Sequence, residues 1–184
     1  MSKRARLDRN RVRKYRRAMA RCLVDVTPAD VEAATNWYAD AAMVAADVAW
    51  RMRLPLEHGA AIVSAFSPRV QWSRNVTLAI DYAEGRTPNC LRQSIRAADR
   101  ARDNGIDGLK ADKTNAFARA IAGDDDAVVV DVWMCRAAAL DRDAPTTVQY
   151  REISSAVRSL AREHSLAPRV MQALIWIKVR GRVY

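Results

Sequence analysis

Leu109 to Arg136 reads LKADKTNAFARAIAGDDDAVVVDVWMCR, and the run Ala127 to Asp131 inside it, AVVVD, decides the fold class. It is the only strand-like run in the chain. Three consecutive valines suit a pleated strand, but one short run has no partner with which to build a sheet. Such a run fits a loop that packs into a core. On either side the apolar residues return at helical spacing. The expected class is therefore all-α, a single irregular helical bundle of about seven to nine helices.

The helices follow outward from that stretch. Thr114 to Ala122 and Val132 to Leu140 flank it. Upstream, Thr27 is an N-cap, Pro28 takes the first helical position, and the helix is expected to run to about Arg53. The segment LPLEHGAAIVSAFSPR gives a short apolar helix that stops near Ser67-Pro68. Trp72, Val76, Ile80 and Ala83 recur at helical spacing before Gly85, and Leu91, Ile95 and Ala98 do so before Gly105. Two more helices, in APTTVQYREISSAVRSLAREHSL and APRVMQALIWIKVRG, close the chain.

The chain has 184 residues and a formal net charge of +10. Lys3, Arg4, Arg6, Arg9, Arg11, Arg13, Lys14, Arg16, Arg17 and Arg21 face only Asp8 in the first 21 residues, so nearly all the excess lies there. Residues 1–24 form a basic arm or helix and residues 25–184 a helical domain. A basic segment of this density attracts a polyanion, and DNA, single- or double-stranded, is the expected partner. Arg4, Arg6, Arg9, Arg13, Lys14 and Arg17 are its expected contacts; a solvated helix face or a contact with acidic residues of the same chain is the plainer alternative.

Several classes are excluded. No apolar run approaches the roughly 18 residues that suggest a bilayer span, so no membrane partner is expected. The basic N-terminus lacks the apolar core of a secretory signal. Cys22, Cys90 and Cys135 are too far apart for a zinc or iron–sulfur pattern, and His58 and His164 are isolated. No metal site and no cofactor are expected. The expected location is the cytoplasm of a bacterium or phage-infected host. The arginine-rich usage, 26 Arg against 5 Lys, fits a high-GC genome.

Lys113 and Asp131 stand eighteen residues apart, each at an expected helix start. They are either a reactive amine and carboxylate or two ordinary polar residues, with Asp131 an N-cap. Likewise, the three aspartates 124–126 read as a solvated loop.

The flanking residues carry a resemblance. Lys113-Thr114-Asn115, Gly123, Val130-Asp131 and Arg136 resemble the helix-hairpin-helix GPD superfamily of DNA glycosylases, of the endonuclease III-like kind, and the Lys-to-Asp separation is the same. Ser67, Trp72, Val76 and Ala79 resemble an earlier segment of that family. The resemblance spans about Ala60 to Leu140. It departs from the family pattern where Leu109 and Ala111 replace the hairpin glycines, where Arg69 replaces an inserting glutamine with Gln71 nearby, and in lacking the iron–sulfur cysteines. This is the pattern of a reduced, divergent, phage-type member with a degenerate helix-hairpin-helix element.

The resemblance implies a protein that flips a base out of DNA and excises it, with or without a Schiff-base lyase step. Asp131 would stabilise positive charge growing on the sugar. Lys113 would attack the sugar carbon as a neutral amine. Trp72 and Trp133 would stack on the base, and Arg69, Gln71, Lys110 and Asn115 would join the nucleic-acid contacts. Two alternatives are a non-catalytic nucleic-acid-binding protein on the same scaffold and a phage enzyme of DNA base hypermodification.

Overall fold

The computed structural model describes residues 6–181. Among them are nine α-helices, two short 3-10 turns and no strand. The helices are α1 (Arg9–Ala20), α2 (Pro28–Met52), α3 (Leu56–Ala65), α4 (Trp72–Ala83), α5 (Arg92–Asn104), α6 (Asp112–Ile121), α7 (Val132–Ala137), α8 (Thr147–Glu163) and α9 (Pro168–Arg180). No helix is long and apolar enough to cross a membrane. The protein is all-α. The chain divides into two compact units, one of residues 38–124 and one of residues 1–37 with 125–184.

The unit of residues 38–124 is organised around α3. Gly59 to Phe66 are buried without a break, so α3 is apolar on every face, as a helix must be when it is surrounded. It packs on α4, α5 and α6. Gly59 permits close approach to α2: a Cβ there would lie 2.2 Å from the Ala45 carbonyl oxygen. The buried Ser64 hydroxyl donates to the Thr114 carbonyl at 2.7 Å and anchors the first turn of α6 on α3. Between α5 and α6 the chain makes a 3-10 turn, Gly105–Gly108. Gly108 admits no side chain, because a Cβ would stand 2.3 Å from the Arg100 carbonyl oxygen.

In the other unit α1 packs on α8, and α9 packs on both α7 and α8. Asp8 caps α1 by accepting from the N–H groups of Asn10 and Arg11 at 2.8 and 3.3 Å. Tyr15, Ala18 and Met19 form its buried face. Opposite lies Glu152 of α8, with no exposed surface. Its carboxylate accepts from Arg11 Nε and Nη2, both at 2.8 Å, and from the Asp8 N–H at 2.9 Å. Arg16 forms a second ion pair with Glu163. Thr146 and Gln149 close a reciprocal capping box at the start of α8.

The run Ala127 to Val130 is a buried non-helical segment. Its backbone is served by a side chain instead of a neighbouring strand. The Tyr150 hydroxyl accepts from the Val130 N–H at 3.2 Å and donates to the Val128 carbonyl at 2.9 Å. The preceding aspartates form an exposed loop whose carboxylates also meet arginines. Asp124 pairs with Arg119, Asp125 with Arg169 at 2.8 Å and Asp126 with Arg158 at 2.8 Å. They neutralise arginines on helix surfaces while the loop turns.

Two helices differ from expectation. α6 begins two residues early, at Asp112, where an acidic first-turn residue complements the exposed N–H groups. α7 stops at Ala137 instead of Leu140. Ala139 takes φ +53, and the Leu140 N–H returns to the Cys135 carbonyl at 2.9 Å, which closes the helix end.

Tyr150→Phe should leave the Val130 N–H and Val128 carbonyl unpaired in the core, at a cost of about 3 kcal/mol. Urea denaturation checks this; a loss below about 0.5 kcal/mol would mean that side-chain burial alone holds the run. The Arg11 hydrogen bonds hold the Glu152 carboxyl below its ordinary 4.5, against the opposing effect of burial. Its stabilising contribution is therefore present above pH 4.5 and lost as pH falls through the lowered value. Melting temperature should drop along that acid limb, and Glu152→Gln should lower it at neutral pH while flattening the limb.

Candidate nucleic-acid interface

The clamp on Glu152 divides the cations of α1 into two sets. Arg11 and Arg16 turn inward to α8. Arg13, Lys14, Arg17 and Arg21 fall at helical spacing on another face, all exposed, and none forms an ion pair among the described residues. With Asn10, Ala18 and Ala139 they line an open depression of about 440 Å³. Four unpaired cations along about two turns of helix make a strip of positive potential that suits a phosphate backbone. Arg9 and Arg6 are exposed beside the start of the helix. Arg4 lies outside the described residues.

Ala139 links this strip to the second feature. It follows α7, whose other end carries Asp131. The six residues of α7, about 9 Å of helical rise, separate the Asp131 cap from the turn at Ala139.

Asp131 is a half-buried N-cap, its Oδ1 accepting from the Met134 N–H at 3.0 Å. Its Oδ2 accepts from the Trp176 indole N–H at 3.0 Å. Trp176 in turn packs on Trp37, with ring centroids 5.4 Å apart and planes tilted by 33°. The Arg180 guanidinium lies 4.8 Å from the Trp176 ring centroid. Lys178 fixes this end of α9 by donating to the Asp25 carbonyl at 2.8 Å and to Asp30 at 3.3 Å. The carboxylate is thus held from two sides beside an aromatic pair. The neighbouring Cys135 thiol is pushed up to about 11, by burial first and by the Asp131 charge second, so it stays protonated at neutral pH.

The remaining expected site residues are dispersed. Lys113 is half-buried in the first turn of α6, and its ammonium has no hydrogen-bond or ion-pair partner among the described residues. It belongs to the unit of residues 38–124, and Asp131 to the other. Lys110 is exposed and donates to the Asp107 carbonyl at 3.4 Å. The Asn115 amide is turned inward and donates to the Ile106 carbonyl at 3.2 Å, tying α6 to the turn before it. Arg69 and Gln71 are exposed ahead of α4. Trp72 meets Phe117 edge-on, with centroids 6.4 Å apart, while Trp133 carries the Arg136 guanidinium at 4.6 Å. These two tryptophans lie in different units. Among the described residues no group of three or more potential metal ligands occurs.

Trp37 and Trp176, the aromatic pair beside Asp131, were not among the site residues expected from sequence. Trp176 reads as core in QALIWIKVRG, and no spacing rule connects it with an aspartate 45 residues earlier. The available signal was its polar N–H on an apolar helix, which demands an acceptor.

A family model described as a family of unknown function (DUF7178) matches residues 1–183, and the chain belongs to that family. No curated protein and no solved structure matches it.

Asp131→Ala should cost about 1 kcal/mol through the lost cap. Trp176→Phe should cost a similar amount through the lost indole hydrogen bond. The double variant should lose less than the sum, because both changes remove the same contact. Chemical denaturation of all four proteins checks this; strict additivity would mean that indole and cap act independently.

Proposed function

We propose that this chain is a DNA-binding protein of the glycosylase kind, in which α1 grips phosphates and Asp131 acts on a sugar. The observation that carries the reading is the placement of the α1 strip and the fixed carboxylate near opposite ends of one six-residue helix, α7. A strand whose phosphates lie along Arg13, Lys14, Arg17 and Arg21 needs to extend only a few nucleotides to reach Asp131. There an ionised carboxylate, kept from rotating by the Met134 N–H and the Trp176 indole, is suited to stabilise an oxocarbenium-like sugar as a base departs. Pre-orientation has value here because the charge it answers appears only in the transition state.

The resemblance to helix-hairpin-helix glycosylases supplies the remaining roles. Lys113 is the candidate amine for a Schiff base, and the connection between α5 and α6 stands where the hairpin belongs. That connection carries Gly105 and Gly108 instead of glycines at 109 and 111. Its grip on a duplex phosphate would therefore be weaker, which gives the α1 strip a larger share of the affinity. Trp37 and Trp176 join Trp72 and Trp133 as candidate surfaces for a base.

A second reading, a non-catalytic nucleic-acid-binding protein, is favoured by a specific observation. Both oxygens of Asp131 already have donors within the protein. A cap that also satisfies a half-buried indole is a sufficient structural use for this aspartate.

Two measurements separate these readings. Replacing Arg13, Lys14, Arg17 and Arg21 together by Ala should weaken DNA binding and reduce the salt slope by about three to four. An unchanged slope would remove α1 from the interface. Incubation with DNA carrying modified bases, with borohydride present, should give base release that falls about a hundredfold in Asp131→Asn and an adduct that disappears in Lys113→Ala. Binding without base release from any of these substrates would leave the non-catalytic reading; product mass on a pyrophosphorylated base would identify hypermodification.

A further inference from the structure

The unit of residues 38–124 contains a second cavity, of about 330 Å³. It is enclosed by the segment after α3, the start of α4, and the segment leading into α5. Phe66 and Leu78, both fully buried, and Val70 give it an apolar interior. Arg69 and Arg74 also line it, and no acidic residue does. Neither arginine forms an ion pair among the described residues.

Both arginines are exposed, and Arg74 is tethered. Arg74 Nη2 donates to the Asn89 carbonyl at 3.0 Å, which holds its stem across the cavity edge. Arg69 takes φ +63, the left-handed region that non-glycine residues seldom occupy. Such conformations persist where surrounding structure enforces them, and they cluster at binding sites. The Ser94 side chain lines the same cavity and is almost wholly buried, yet its hydroxyl has no hydrogen-bond partner among the described residues. Finally, α4 and α5 both begin at the cavity, and neither has a side-chain cap hydrogen bond. Their first-turn N–H groups add positive potential to that of the two guanidinium groups.

We infer that this cavity binds a mononucleotide-sized organophosphate, with the phosphate at Arg69 and Arg74 and a flat apolar ring against Val70 and Leu91. Guanidinium groups bind phosphate in bidentate fashion and also stack on bases, so one pair can serve both parts of such a ligand. Ser94 supplies a polar contact inside. Two sources offer this chemistry: a free nucleoside monophosphate, and the 5′-phosphorylated end of a strand. The inference is independent of the role of Asp131 and of α1.

Calorimetric titration of the full chain tests it, using deoxyadenosine 5′-monophosphate, deoxyadenosine, inorganic phosphate and 5′-phosphorylated trideoxyadenylate. The monophosphate should bind at least tenfold more tightly than the nucleoside or phosphate alone. Arg69→Ala and Arg74→Ala should each weaken it at least tenfold. The fourfold α1 variant should bind it as wild type does, so a failure of the α1 interface remains distinguishable. Tighter binding of the trimer identifies a strand end; equal or weaker binding identifies the free nucleotide. Absence of monophosphate binding overturns the inference, as does binding that neither arginine variant weakens. Should Arg74→Ala fail to fold, Arg69→Ala, exposed and outside any ion pair, decides alone.

Discussion

A single buried carboxylate sets the arrangement of the N-terminal helix. Glu152 has no exposed surface, and ionised it needs donors on every side. Arg11 and the Asp8 N–H supply them, and both belong to the first turn of α1 or its cap. Asp8 thus has two tasks, its side chain capping the helix while its backbone holds the partner helix. Tyr15, Ala18 and Met19 then fall against the core at helical spacing, and the remaining cations are left outside. The positive strip follows from this arrangement: two inward arginines satisfy acidic residues of α8, and those without acidic partners face solvent.

The features legible in the sequence were those fixed by neighbours close along the chain. Thr27 and Pro28 start α2, Gly85 and Gly105 follow α4 and α5, and Asp131 caps α7, each through contacts a few residues away. The valine run was also readable as non-strand, because pairing needs a second strand, and none occurs among the described residues. What joins these pieces was not legible. The hydroxyl that serves Val128 and Val130 belongs to Tyr150, and the indole that holds Asp131 belongs to Trp176. Nothing local in either segment identifies the partner. The same holds for α1, where six basic residues look alike in sequence until burial sorts them. Asp124 to Asp126 do lie in an exposed loop, but the arginines at 119, 158 and 169 that meet them one by one are distant or unmarked in the sequence.

The cap on Asp131 does not compete with chemistry at the same atom. A carboxylate has about four lone-pair positions, and the Met134 N–H and Trp176 indole occupy two. They stop rotation and leave the remaining positions for a cation. A buried apolar run that ends on a capping aspartate is therefore an economical device: the valines fix the chain, and the cap fixes the charge.

The clamp on Glu152 also makes α1 a segment in which length matters more than composition. Each residue advances an α-helix by about 100°. One residue gained or lost just after Arg11 would leave the clamp in place but swing Arg13, Lys14, Arg17 and Arg21, and with them Tyr15, Ala18 and Met19, by more than a quarter turn relative to it. Exchange of one cation for another at these four positions preserves the strip; a shift in spacing abolishes it with every charge still present. Among relatives, this helix should therefore vary freely in the identity of its outward residues and hardly at all in their count.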